Sequence, residues 1–254
     1  MYRSMVSTAA LAISLAATVA WGAEPATSPD KGATYVRTED SPGFVSLVDG
    51  RSLQGWKAAD MSWWSVEDAA ITGKITKDKP CRKNQYLFSE AGPMKDFELK
   101  LVHRVISPHK VNSGFQYRSE HYQGDDCKGY QIDNNLPDMI RLYDEFGRHT
   151  LAERGQRTTF DIHGKKSTTD IPEAKGKPWY DLAQWHEYHL ICNGPKITLY
   201  VNGRLLGEVI DLDPENQDLS GLLALQLHSG PDMTVQFKDI RWKPLKVDGG
   251  SGDR

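Results

Sequence analysis

Apolar residues in this chain recur at every second position. No segment sustains a 3.6-residue period with caps at both ends, so the pattern commits the chain to strands. Phe97, Leu99, Leu101 and Val105 share one parity while Glu98, Lys100 and Arg104 take the other, as a half-buried strand requires. Between Tyr188 and Ile210, two strands and the start of a third are separated by Asn193-Gly194 and Asn202-Gly203, the dipeptide that most favours a tight hairpin. Further strands are predicted at Gly43–Leu47, Trp63–Val66, Ala70–Lys74, Tyr86–Phe88, Ser113–Ser119, Gly129–Asp133, Met139–Tyr143, Leu222–His228 and Thr234–Trp242. About a dozen short strands joined by turns specify an all-β fold, a jelly-roll sandwich of two antiparallel sheets. The stretch Thr150–Lys177 is polar, charged and without period, and is expected to be a long functional or mobile loop.

The N-terminus reads as an address. Arg3 precedes an apolar run from Met5 to Ala20, and Ala20-Trp21-Gly22-Ala23 supplies small residues for cleavage. Residues 1–22 are therefore expected to be a cleavable signal peptide, and the protein to be secreted or periplasmic. Residues 23–42 are polar and Pro-bearing and read as a flexible lead-in, residues 247–254 as a disordered tail, and 43–246 as one domain. No other apolar run approaches the roughly 20 residues of a membrane span. With 31 basic against 34 acidic side chains and no basic run, the chain lacks the footprint of a nucleic-acid binder. Of three cysteines, Cys81 and Cys127 lie in turn-like segments and are the expected partners if one disulfide forms. Cys192, in an apolar strand, reads as a small buried hydrophobe, and no CxxC spacing supports redox or zinc chemistry.

Three predicted strands carry polar residues in register. In Ser113–Ser119, Phe115 and Tyr117 oppose Gln116 and Arg118; in Gly129–Asp133, Tyr130 and Ile132 oppose Gln131 and Asp133; in Leu225–Gly230, Leu225 and Leu227 oppose Gln226 and His228. If these strands share a sheet, its second face is a platform of amides, a guanidinium, a carboxylate and an imidazole, suited to paired hydrogen bonds with sugar hydroxyls. The segment Leu142-Tyr143-Asp144-Glu145-Phe146-Gly147-Arg148 adds acids, a phenol and a second guanidinium at a strand-to-loop junction. His186 and His189 fall on opposite faces of one strand and cannot share an ion. His103, His109, His121, His149 and His163 read as surface or loop residues.

The motifs Gly43-Phe44-Val45-Ser46-Leu47-Val48-Asp49-Gly50, Asn112-Ser113-Gly114-Phe115-Gln116-Tyr117-Arg118-Ser119, Gly129-Tyr130-Gln131-Ile132-Asp133, Leu142-Tyr143-Asp144-Glu145 with Gly147-Arg148, and Leu225-Gln226-Leu227-His228-Ser229-Gly230 occur in an informative order. Together they resemble the 3-keto-disaccharide hydrolase domain family, associated with 3-keto-glucoside 1,2-lyase and 3-keto-2-hydroxyglucal hydratase activity. The likeness runs from Gly43 to about Leu245. Val48 stands where that family has Phe, and Ala69 where it often has Gly. The resemblance implies a concanavalin-A-like lectin/glucanase sandwich. It also implies a substrate already oxidised at C3 of a glucosyl unit by a glucoside 3-dehydrogenase-type oxidoreductase.

A C3 ketone acidifies the C2 proton, so a base forms an enediolate that expels the glycosidic oxygen from C1, and water then adds back. Such a site needs a base, an electrophile and an acid. His228 is the first choice of base, with Asp133 or Glu145 as the alternative or as the group that orients the imidazole. Arg118 is the expected electrophile. A divalent cation held by Asp133, Glu145 and His228 is the alternative electrophile, although no ligand motif supports it. Gln116, Gln131, Gln226, Tyr143 and Arg148 are expected to hold the substrate. A retaining glycosidase would need two carboxylates about 5 Å apart, and no Glu-x-Asp or Asp-x-Glu pair lies on an interior strand. The alternative to an enzyme is a non-catalytic, lectin-like module using the same platform.

Overall fold

A computed structural model describes Tyr35 and residues 37–245; the leader, part of the lead-in and the tail lie outside the described residues. Seventeen strands follow one another: β1 (Val45–Ser46), β2 (Trp56–Lys57), β3 (Trp64–Glu67), β4 (Ala70–Ile75), β5 (Gln85–Ser89), β6 (Phe97–Ile106), β7 (Asn112–Tyr122), β8 (Asp126–Asn135), β9 (Met139–Glu145), β10 (His149–Glu153), β11 (Gln156–Phe160), β12 (Lys166–Asp170), β13 (His186–Asn193), β14 (Lys196–Val201), β15 (Arg204–Asp211), β16 (Leu222–Leu227) and β17 (Met233–Pro244). The larger sheet runs β12-β11-β15-β14-β13-β6-β17-β4-β3, with β1 against β17; the smaller runs β10-β9-β8-β7-β16-β5-β2. All pairings are antiparallel except β11 with β15. The result is the two-sheet jelly-roll that the alternation specifies.

The inner faces meet as the parity requires. Phe97, Leu99, Leu101 and Val105 of β6 and Tyr188, Leu190 and Cys192 of β13 pack against Phe115, Tyr117, Tyr130, Ile132, Leu225 and Leu227 of the smaller sheet. Phe115 meets Tyr188 edge-on across the gap, with ring centroids 5.6 Å apart. Asn202 and Gly203 both take positive φ (50° and 73°), the mirror-image turn that their hairpin needs. The other hairpin turns one residue later than expected, on Gly194-Pro195, with Asn193 paired to Lys196.

Several sequence expectations change. Residues 150–177 are not an irregular loop but carry most of β10, an edge of the smaller sheet, and β11 and β12, which close one edge of the larger. The pattern of β12 is hidden because all five of its residues are exposed and therefore polar. The last residues of the lead-in are docked. Thr38 donates through its backbone N–H and its hydroxyl to Glu187 Oε1, and Asp40 accepts from Lys100 Nζ (3.1 Å) and Arg241 Nε (2.7 Å). Cys81 and Cys127 do not pair: all three cysteines are free and buried. His103, read as a surface or loop residue, is buried in β6 and stacks on Phe237 at 4.1 Å.

Candidate functional site

The side chains of the smaller sheet that point away from the larger one form the platform. Strand register orders them in rows. The first row crosses Tyr86, Gln226, Gly114, Asp133 and Arg141, from β5 through β16, β7 and β8 to β9. The next crosses Phe88, Ala224, Gln116, Gln131, Tyr143 and Thr150. Pairing therefore brings Gln116, Gln131, Gln226, Asp133 and Tyr143 onto one face. Gly114 and Ala224 leave its centre low. A Cβ on Gly114 would lie 2.1 Å from the Ile132 carbonyl oxygen and 3.4 Å from Gln131 Nε2, so the backbone excludes any other residue there and the Gln131 amide reaches over the gap.

The amides are set with polar atoms to spare. Gln116 Nε2, Gln131 Nε2, Gln226 Oε1 and Asn112 Oδ1 are buried and have no hydrogen-bond partner in the protein. A buried unpaired amide costs about 1–3 kcal/mol, so four on one face are an arrangement that a ligand rich in hydroxyls would relieve.

Asp133 is engaged from both sides. Asn112 Nδ2 donates to its Oδ1 (2.7 Å), while Asn135 Nδ2 (3.0 Å) and Arg141 Nε (2.6 Å) donate to its Oδ2. Its lone pairs hold neighbours in place, which suits a positioning role rather than that of a base. His228 follows β16 at the end of the face and lines a hollow of 450 Å³. Its Nδ1 lies 2.7 Å from the Ser229 carbonyl oxygen. That contact makes Nδ1 the donor in the neutral ring and leaves the Nε2 lone pair free to take a proton. The Ser229 N–H in turn donates to Asn84 Oδ1 (2.9 Å). Beside them, the Tyr86 hydroxyl accepts from Gln226 Nε2 (3.0 Å) and Asn84 Nδ2 (3.5 Å), so its own hydrogen remains to be donated. Burial pushes that phenol well above its ordinary pKa and keeps it protonated.

Glu145 sits at the other end of the face, paired with Gly129. Burial first, and then the charges of Asp126, Asp133 and Asp144, push its carboxyl up to about 7. Six residues of β9 separate its row from the row of His228, about 20 Å along the strands, so one sugar ring cannot touch both. Among the described residues no three His, Cys, Asp or Glu side chains gather as a metal-holding group. Asp133, Glu145 and His228 are spread along the face, so these three do not form the ligand set named for the alternative cation.

Two expected residues are elsewhere. Arg118 takes a positive φ (48°) at a register shift between Tyr117 and Glu120, which turns its side chain off the face. Its guanidinium is buried against the carbonyls of Lys95 (2.7 Å), Gly194 (2.8 Å) and Asp218 (3.3 Å) and the Asp96 carboxylate (3.2 Å). Arg148 is bound to Asp211 by both terminal nitrogens and to Asp144, and donates to the Asn216 carbonyl (3.0 Å). Both arginines are engaged by groups of the protein and tie the sheets together. The guanidinium on the platform is that of Arg141, stacked 4.8 Å from the Tyr143 ring. Its signal was the alternation of Arg141, Tyr143 and Glu145 against Ile140, Leu142 and Asp144. Tyr86, Asn84 and Asn112 were also missed; a lone Tyr or Asn in a strand carries no distinguishing pattern.

A family model described as a 3-keto-alpha-glucoside-1,2-lyase-like domain matches residues 43–243. No curated protein matches the chain. Solved structures share the fold at low identity. A Parabacteroides distasonis protein with a provisional glycosyl hydrolase assignment aligns over 80% of this chain and 94% of its own, at 18% identity and a TM-score of 0.52. The carbohydrate-binding module CBM66 from Bacillus subtilis covers 74% and 95%, at 15% and 0.50. An endo-β-galactosidase from Clostridium perfringens that releases GlcNAcα1-4Gal covers 84% and 66%, at 10% and 0.52.

Proposed function

Because this chain belongs to the 3-keto-alpha-glucoside-1,2-lyase-like domain family, we propose that it cleaves glycosides whose glucosyl unit carries a ketone at C3, by elimination and rehydration. The observation that carries this reading is the cluster of unpaired buried amides around Gly114, one row from an imidazole with a free Nε2. The oxidised ring lies over Gly114, with its hydroxyls on Gln116, Gln131, Asp133 and Arg141. His228 Nε2 takes the C2 proton, and the electron pair moves into a C2–C3 enolate. The Tyr86 hydroxyl donates to the enolate oxygen, the role that Arg118 cannot fill. As the enolate collapses, the C1–oxygen bond breaks and the imidazolium returns its proton to the leaving oxygen. The products are the free aglycone and a 2-hydroxyglucal ketone. Water then adds its hydroxyl to C1 and a proton to C2, which completes a net hydrolysis.

The ketone has to be supplied by an oxidoreductase of the glucoside 3-dehydrogenase type. The leader expected at residues 1–22 supports export, which puts this chemistry outside the cytoplasm.

Purified protein incubated with a 3-keto-glucoside should release the aglycone. His228→Ala should lower turnover by about 10²–10⁴-fold, the usual contribution of a general base, with its melting temperature within a degree or two of the parent. Full activity in His228→Ala would remove the base. Sugar binding without product from the parent protein would establish the lectin-like alternative.

A further inference from the structure

The hollow beside His228 is walled by three turns, between β6 and β7, β8 and β9, and β16 and β17. Five of its eleven lining residues are aliphatic, Val111, Leu136, Pro137, Met139 and Pro231, and the larger part of the lining surface is apolar. No Phe, Tyr or Trp lines it, so it lacks the flat ring on which a pyranose stacks. Met139 is 43% exposed there, so its side chain is open to a ligand.

Part of the polar lining of the same hollow is spent within the protein, while Asn112 Oδ1 and His228 Nε2 stay unpaired. Asn112 Nδ2 donates to both Asp133 and Asn135 Oδ1, and Asn135 Nδ2 donates to Asp133. His228 Nδ1 is held by the Ser229 carbonyl, and the Ser229 N–H by Asn84. Lys110 and Asp138 stand at the exposed rim. A second sugar seated here would find Asn112 Oδ1 and the rim groups of Lys110 and Asp138, and each hydroxyl turned to the aliphatic residues instead would stay unpaired at about 1–3 kcal/mol. An apolar group would lose nothing and would cover Met139.

We infer that this hollow is the leaving-group subsite, and that it selects glycosides whose aglycone is an uncharged apolar alcohol over those whose aglycone is a second sugar. The inference rests on the proposed role of His228, because the leaving oxygen departs beside that imidazole. Met139 is then a specificity-determining residue with no part in proton transfer.

The test compares 2-phenylethyl 3-keto-glucoside, in both anomers, with a 3-keto-disaccharide; the sugar hydroxyl is the more acidic leaving group, so a preference for the phenylethyl compound cannot come from chemical reactivity. The parent should show kcat/KM at least 10-fold higher on the phenylethyl compound. Met139→Ser should reduce that value several-fold through KM, with kcat and the disaccharide kinetics within twofold. Equal or better turnover of the disaccharide by the parent, or equal losses on both substrates in the variant, overturns the inference. Calorimetric binding of unoxidised 2-phenylethyl glucoside and cellobiose separates this idea from the proposed reaction. Tighter binding of the phenylethyl compound, weakened by Met139→Ser, supports the subsite even if neither ketone is cleaved. No preference in binding, together with no cleavage, overturns it.

Discussion

Glu145 carries a consequence of its own. Its carboxyl holds a proton to about 7 in the folded protein, against an ordinary glutamate value near 4.5, because burial and three neighbouring carboxylates disfavour its charge. The folded state therefore binds more protons than the unfolded chain between those values. Stability falls as pH rises from about 4.5 to 7 and levels off above. Glu145→Gln removes that proton uptake. Thermal melts of the variant and the parent should diverge as pH climbs through this window, the variant gaining. Asp218, raised to about 6 mainly by burial and by Asp144, keeps part of the slope in both proteins. Identical pH profiles for the two would mean that the carboxyl is not desolvated. At this scale the sequence was legible where alternation holds and misleading where one backbone angle departs from it. Gln116, Gln131 and Gln226 lie on the face their parity assigns, whereas the positive φ of Arg118 sends its side chain the other way. An Arg gives no notice of such an angle, because it is not among the residues that favour it.

Among the elements, long strands with an apolar stripe were read to within three residues at each end, as β7 and β17 show, and β6 by its alternation, while β10, β11 and β12 were read as loop. The difference is burial: β6 packs one whole face into the core, and β12 packs none. The same reasoning applies to the docked residues before β1. Composition marks residues 37–41 as a flexible lead, yet the outer face of the larger sheet buries Lys100 and Arg241, and these need a carboxylate that the lead provides in Asp40. Arg241 also pairs with Glu187, whereas Lys100 has no second carboxylate partner among the described ion pairs. Asp40→Ala should therefore cost about 1–3 kcal/mol by leaving buried charge less well paired, measurable as an earlier midpoint in urea. Faster proteolysis between residues 35 and 45 should accompany it. An unchanged midpoint would mean that the segment rests on the sheet without holding it.

Taken whole, the molecule separates the groups that hold its sheets together from those proposed to react. Arg118 and Arg148 span from the smaller sheet to residues of the opposite layer or its turns, Gly194 in one case and Asp211 in the other. Both sit toward the Glu145 end of the face, and His228 with its hollow lies at the other. Arg148 neutralises the buried carboxylates of Asp144 and Asp211, with Asp213 3.7 Å from its guanidinium. Removing it strands those charges, and breaking a buried pair in this way costs about 3–5 kcal/mol. For a domain of this size that corresponds to a fall of roughly 10 °C in melting temperature. Arg148→Ala should show that loss in calorimetry while retaining, at a temperature where it remains folded, kcat and KM close to those of the parent. A guanidinium that touched substrate would give the opposite pattern: a near-normal melt with turnover or KM impaired many-fold. The comparison thus decides whether the arginine of the Gly147-Arg148 motif serves the fold or the sugar, a choice the motif alone leaves open because either role keeps the same residue in the same place.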